Sequence, residues 1–493
     1  MSKSSTKYQV PSTQYPVPST PHPAPSTQHP APSTQYPAPN VKLKTKLMYT
    51  AVPVLGKDRI DILDSLRGIA VLGILLMNIP YFALPDPTQF TDLIVLNEMG
   101  TINEKVWFVI SWIFNGTQRA LFALLFGAGI ILFTQRQEQK TSGPLSADYF
   151  FRRNLWLMVF GLFNFYFLLW LGDYLLPYAC CALILYTFRR MSPRSLLIAA
   201  GVCLLLMVGR ENLDLYRNKN IITKGEQVAK LDTSITKLNS EQIEQLNAMK
   251  AFKERSTIES RKKIVEKSLK KVRGNYGNFY KYQTERGMEI FLYLAYYEIW
   301  SLLLFMFIGM AFYKNGVLTG KVSSGIYWWM VIIGLAVGLA LTWYKIQLMI
   351  HHEFNRYEYT RNLVFNITEI GRVLRALGIF GIIMLMYKSG WFKWFFSLTR
   401  PVGQMAFTNY LGQSFLMGLF FYGIGFGMFG KLQRYEIYYV VAVTWVVQII
   451  FSHIWLHFFQ FGPLEWVWRQ LTYWKRFPLT ANKKVTPGKE IQL

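Results

Sequence analysis

Four groups of polar residues stand inside or against stretches that are otherwise apolar, and their types decide what chemistry is open to them. Asp61, Asp64 and Arg67 recur at intervals of three, so they share one helix face, and Asn78 lies further along the same run, two residues before Pro80. Asp173 follows Gly172 between two apolar runs. Asn409 and Gln413, four apart, face the same way beside Thr408 and Ser414. Glu369, Arg372 and Arg375 open a further run and read as a self-neutralised ion-pair patch. Ionisable and amide groups are costly in hydrocarbon unless paired or hydrated, so those that remain there point to function. An Arg suits phosphate, a carboxylate can hold a proton, and an Asn amide can orient a carbonyl or donate to an oxyanion. The plainer readings are a tight turn at Gly172-Asp173 and helix–helix hydrogen bonds from Asn409 and Gln413.

The histidines do not fall where a general base is wanted. None occurs between His29 and His351. His453 and His457 have a helical spacing that can ligate zinc, but no Glu follows the first, and Trp455 and Phe458 crowd them. They read as interfacial residues, which leaves His351-His352 as an alternative base displaced along the chain. Cys180, Cys181 and Cys203 sit in apolar runs without metal-ligand spacing and read as packing.

The elements that must position these groups are membrane spans. Charged residues are only 16% of the 493, and they are bunched, leaving apolar runs long enough to cross the ~30 Å hydrocarbon core. The 15 Trp and 29 Tyr often flank those runs, at headgroup level. The pattern predicts an all-α polytopic transmembrane bundle of about ten spans. The runs lie at 68–84, 106–135, 155–171, 174–188, 195–209, 290–313, 325–344, 371–387, 403–424 and 437–458. Gly334-x-x-x-Gly338 is a packing motif within one of them.

This divides the chain into a Pro/Ser/Thr-rich heptapeptide-repeat tail (1–47), a five-span bundle (48–209), a polar amphipathic insert (210–287), a second five-span bundle (288–460), and a Trp-rich interfacial segment with a basic tail (461–493). The regular repeat raises Met48 as an alternative start. Short basic loops at 136–153, 189–194, 314–321 and 388–400, and the tail from Arg469, fall on the side of the basic N-terminus. By the positive-inside rule both ends are cytoplasmic, in an inner (plasma) membrane, although Lys431 and Arg434 fall on the other side. The formal charge of +25 thus serves topology and anionic lipid; no RNP, zinc-finger or helix-turn-helix pattern accompanies it, so nucleic acid is not the partner.

The run LDSLRGIAVLGILLMN from Leu63 to Asn78 resembles the opening helix of the YeiB-like family, labelled domain of unknown function 418. It is also similar to the first helix of the acyltransferase-three and heparan-α-glucosaminide N-acetyltransferase families. FALLFGAGI (122–130), WLGDYLLPYA (170–179), FTNYLGQS (407–414), FYGIGFGMFG (421–430) and FGPLEWVWRQLTY (461–473) extend the YeiB-like resemblance from about Arg59 to Tyr473. Acyltransferase-three proteins carry a catalytic His where this chain has Asn78, fourteen residues beyond Asp64. Heparan-type members have Asn there and a His a little further on. The departure weakens acyl transfer as a reading, unless Asp92 or Glu98 replaces the base.

The expected site lies between the first, second, third and ninth spans. Asn78, Asp64 and Asp173 are the catalytic candidates, and Arg67, Arg119, Asn409 and Gln413 the substrate-binding ones. Two functions stay open. One is a membrane acyltransferase taking an acyl-CoA donor, with no resident cofactor or metal, and modifying a lipid-linked or cell-wall glycan. The other is a carrier or exporter of a small solute, against which there is no clear pair of matched, Gly/Pro-broken helices.

Overall fold

The computed structural model describes residues 59–86, 92–140, 145–231 and 238–480. The repeat tail and Met48 lie outside the described residues. Among those described, the chain is all helix apart from loops and an isolated bridge between Phe459 and Thr480.

The first half runs α1 (Asp61–Ala83), α2 (Ile102–Ile113), α3 (Thr117–Lys140), α4 (Leu145–Tyr166), α5 (Leu175–Leu185) and α6 (Pro193–Ala229). The polar insert holds α7 (Ser240–Arg255) and α8 (Ile258–Val272). Then α9 (Tyr276–Tyr293) passes through a π-helical turn at Leu294–Glu298 into α10 (Ile299–Lys314). The rest is α11 (Ser324–His351), α12 (Arg356–Asn362), α13 (Thr368–Ser389), α14 (Lys393–Gln404), α15 (Ala406–Phe421), α16 (Arg434–Phe458) and α17 (Pro463–Tyr473). Among the described residues seven segments are long and apolar enough to cross a membrane: α1, α2–α3, α6, α9–α10, α11, α13 and α16. The protein is therefore a membrane protein built as an all-α bundle.

Burial sorts these helices. Helix α10 is closed in on every side from Ser301 to Phe312, so its uniformly apolar sequence belongs in the centre. Helix α11 is just as apolar but presents Trp328, Trp329, Ile332 and Ile333 outward, as a lipid-facing helix should. Close approach is made by glycine. A Cβ on Gly403 of α14 would stand 1.7 Å from the Asp64 carbonyl oxygen of α1, and one on Gly68 would stand 2.0 Å from that of Thr399. Neither position can hold a larger residue without separating α14 from α1, the helix that carries both Asp64 and Arg67.

Two connections fix where polar groups enter the bundle. Gly116, at φ +76°, breaks α2 from α3, which starts afresh at Thr117 with Arg119 in its first turn. Helix α6 has 37 residues and runs without a break from its apolar half into the polar insert. At 1.5 Å per residue it is about 55 Å long, well beyond the ~30 Å hydrocarbon core. Met249 of α7 packs on its far end at Gly225, and α8 is tied down by a buried ion pair, Arg261 to Asp92 at 2.7 Å.

Candidate functional site

The polar residues expected to form one site are distributed between two cavities and a helix contact. One cavity, about 320 Å³, opens around the C-terminal half of α1, and the other, about 280 Å³, around its N-terminal end. Fourteen residues of helix separate Asp64 from Asn78, about 21 Å along the axis, so the two side chains serve different chambers.

The larger cavity holds Asn78 and Arg119. Among the described residues none hydrogen-bonds the Asn78 side chain, which leaves its amide for a ligand. Arg119 pairs with Glu298 at 2.8 Å, donates to the Tyr174 hydroxyl, and lies over the Tyr174 ring. Glu298 also meets Arg372 at 3.8 Å, and Arg372 pairs with Glu369. The patch at the head of α13 thus extends through the π-helical turn to the cavity wall. Helix α9 closes the chamber from above: Gln283 donates to the Leu169 carbonyl at 3.1 Å, and Arg286 pairs with Asp86 at 2.6 Å. Tyr81, Trp170, Tyr178 and Tyr422 give it a largely aromatic lining.

Asp173 sits just behind this lining, in the connection between α4 and α5 and outside both helices. It is buried, and its carboxylate accepts from Asn164 Nδ2 (2.8 Å), the Leu176 amide (3.1 Å) and the Tyr410 hydroxyl (3.2 Å). No cation pairs with it among the described residues. Burial therefore outweighs the hydrogen bonds and lifts its pKa to about 7.

The smaller cavity is cationic. Arg59, Arg67, Arg136, Arg153 and Arg469 line it against only two carboxylates, Asp64 and Glu465. Asp64 is held by Arg67 at 2.8 Å and Arg59 at 3.6 Å. Glu465 is occupied too: it accepts from the Phe407 and Thr408 amides at 2.8 and 3.0 Å and so caps α15. Arg153 stacks on Trp468, with its guanidinium 3.9 Å from the ring centre, and Arg469 lies over Phe461. Burial in this setting lowers Arg469 to about 10, which still leaves it charged at neutral pH.

Three side chains, Phe122, Leu175 and Tyr410, line both cavities and form the wall between them. Asn409 and Gln413 line neither. Asn409 donates to Ser452 and to the Val402 carbonyl; Gln413 donates to the Val71 carbonyl and to Gln448. They join α1, α15 and α16 by hydrogen bonds between helices. None of the histidines lines either cavity among the described residues; His453, on the outer face of α16, bonds the Ile449 carbonyl of its own helix.

As site residues, sequence reasoning passed over Tyr174, Gln283, Arg286 and Glu298 in the first chamber, Arg153, Glu465 and Arg469 in the second, and Tyr410 between them. Four of these carried a signal, since Tyr174, Tyr410, Glu465 and Arg469 stand within the WLGDYLLPYA, FTNYLGQS and FGPLEWVWRQLTY runs.

Residues 312–475 match the family model described as "Protein of unknown function (DUF418)". The chain is 28% identical over 455 residues to "Uncharacterized protein YxaH" of Bacillus subtilis (strain 168), covering 89% of this chain and 100% of that one. It is also 28% identical over 422 residues to "Uncharacterized protein YeiB" of Escherichia coli (strain K12), with 83% and 95% covered. It is thus similar to the YeiB-like proteins, and its C-terminal third matches the DUF418 model. A protein from the amylase 3′ region of Bacillus acidopullulyticus is 24% identical over 436 residues, covering 88% and 99%. No solved structure matches. The family match begins at α10 and takes in Tyr410, Glu465 and Arg469. The two long pairwise matches extend over most of both halves, so the similarity to these two proteins reaches well beyond the region of the family model.

Proposed function

We propose that the protein transfers an acyl group from an acyl-CoA-type donor to an envelope or lipid-linked sugar on the other side of the membrane. The observation that carries this reading is the pair of chambers meeting at Phe122, Leu175 and Tyr410. The arginine-rich chamber suits a phosphorylated donor, since guanidinium groups bind phosphate by charge-assisted, often bidentate hydrogen bonds. By the positive-inside rule that chamber faces the cytoplasmic side of the inner (plasma) membrane, where acyl-CoA is available. The aromatic chamber, with an uncommitted amide at Asn78 and polar groups at Gln283 and Arg286, suits a sugar ring. In this reading Arg67 and Arg153 hold the donor phosphates, the acyl arm passes the wall, and Asn78 polarises the acyl carbonyl. The acceptor hydroxyl then attacks that carbonyl and the thiol leaves.

The test is purified protein in detergent with labelled acetyl-CoA. Saturable binding and turnover are expected, with Arg67→Ala and Arg153→Ala each raising KM by about tenfold or more, the loss of one charge-assisted contact. Asn78→Ala should lower kcat instead. Envelope glycolipids from a deletion strain, compared by mass spectrometry, would identify the acceptor. The same chambers also support a second reading, since a binding pocket divided by a thin wall is what an occluded carrier needs. Absence of acetyl-CoA binding, together with solute counterflow in proteoliposomes, would decide for transport.

A further inference from the structure

The wall between the chambers carries a hydroxyl, Tyr410, that is hydrogen-bonded to the buried carboxylate of Asp173. Tyr410 lines both cavities. Its oxygen accepts from the Tyr174 amide at 3.2 Å, while its own hydrogen points to Asp173 Oδ1 at 3.2 Å. The carboxylate behind it is seated with care. A Cβ on Gly161 of α4 would come within 2.8 Å of Asp173 Oδ2 and 2.6 Å of the Leu176 nitrogen, so only glycine leaves the carboxylate its place. The groups facing Asp173 are neutral: Asn164 from α4, the Leu176 amide from α5 and Tyr410 from α15. The cations of the neighbouring chamber are engaged elsewhere, Arg119 by Glu298 and Arg286 by Asp86. A buried carboxylate with no cation against it is costly as a structural device, and in a membrane protein such a group is a functional candidate by default.

The geometry points to Tyr410 and Asp173 as the acid–base pair of the transfer, Tyr410 touching the reacting hydroxyl and Asp173 acting through it. This rests on the acyl-transfer reading and supplies the base that no histidine provides. As the acceptor oxygen bonds to the acyl carbon, its proton passes to the Tyr410 oxygen and the Tyr410 proton passes to Asp173. As the carbon–sulfur bond breaks, the thiolate takes a proton back from Tyr410, which is reprotonated by Asp173. Each proton is accounted for, and the enzyme returns to its starting state. Tyr410 never has to carry a full negative charge in a dry wall.

The experiment uses the full-length protein in detergent, labelled acetyl-CoA as donor and water or a simple sugar as acceptor. Wild-type turnover should rise with pH through about 7, where Asp173 loses its proton. Tyr410→Phe and Asp173→Asn should each lower kcat about a hundredfold with little change in KM for the donor, and both should lose that rise. Either variant keeping the wild-type rate and pH profile would overturn the pair while leaving the acyl-transfer reading in place. A wild type that binds donor but never turns it over removes the acyl-transfer reading and this role with it. Infrared difference spectra of the wild type give a second measure that does not depend on the variants being active. A carboxyl band should titrate near neutral pH, vanish in Asp173→Asn and shift in Tyr410→Phe. A wild type without such a band overturns the proposal whatever the kinetics.

Discussion

Asp173 has a consequence for stability as well as for chemistry. An exposed Asp ionises near 3.9, whereas burial lifts Asp173 to about 7. Between those values the folded protein holds a proton that the unfolded chain has released. Its stabilising contribution is therefore complete below about pH 4 and is lost as the pH rises through 7. The thermal midpoint in detergent should fall between about pH 5 and 8. Asp173→Asn should reduce that slope. Asp92, Glu98 and Glu465, also raised by burial, act in the same direction and remain in both proteins, so the difference between the two slopes isolates Asp173. At this scale the sequence disclosed types more readily than partners. Asp64 and Arg67 are legibly one pair, three apart on a helix. Tyr410 is one tyrosine among 29, and only the fold shows that its hydroxyl meets a carboxylate more than 230 positions earlier.

Among the elements, α14 and α17 hold the cationic chamber together. Gly403→Leu should break the α1–α14 contact, since even a Cβ there would fall 1.7 Å from the Asp64 carbonyl. Loss of a monodisperse peak on gel filtration is the expected result, whereas Gly129→Ala, where a Cβ meets nothing within 4 Å, should be tolerated. Glu465→Ala removes the cap of α15 and should cost about 1–2 kcal/mol, read as a lowered thermal midpoint. The helices themselves were largely legible, because an apolar run of about twenty residues has few other uses. What they face was not. Asn409 and Gln413 share a helix face by spacing alone, and spacing cannot distinguish a cavity from a neighbouring helix. Glu298 was hidden for a related reason: it ends a π-helical turn, where the ordinary helical register that would assign it a face is lost.

For the whole molecule, the insert is docked rather than loosely tethered. Arg261 and Asp92 are both buried, and Arg273 donates to the Phe429 carbonyl at 2.8 Å. Removing one partner strands the other charge, so Arg261→Met should destabilise by about 3–5 kcal/mol, while Arg261→Met with Asp92→Leu should recover much of that loss. Hydrogen exchange through α8 and α9, faster in the single variant and restored in the double, is the measurement. Composition marked 210–287 as amphipathic and polar. It gave no means of seeing that Gln283 and Arg286 reach over a chamber, since their partners Leu169 and Asp86 are far away in sequence.

The length of α6 sets a distance for whatever happens near α7. A rod of about 55 Å set upright in a slab of about 30 Å leaves roughly 25 Å of its length outside. Gly225 and Met249 lock α7 to the polar end of that rod, so α7 is carried wherever that end stands. Whatever engages α7 therefore meets it at the far end of a lever anchored in the bundle, and a push there is delivered along α6.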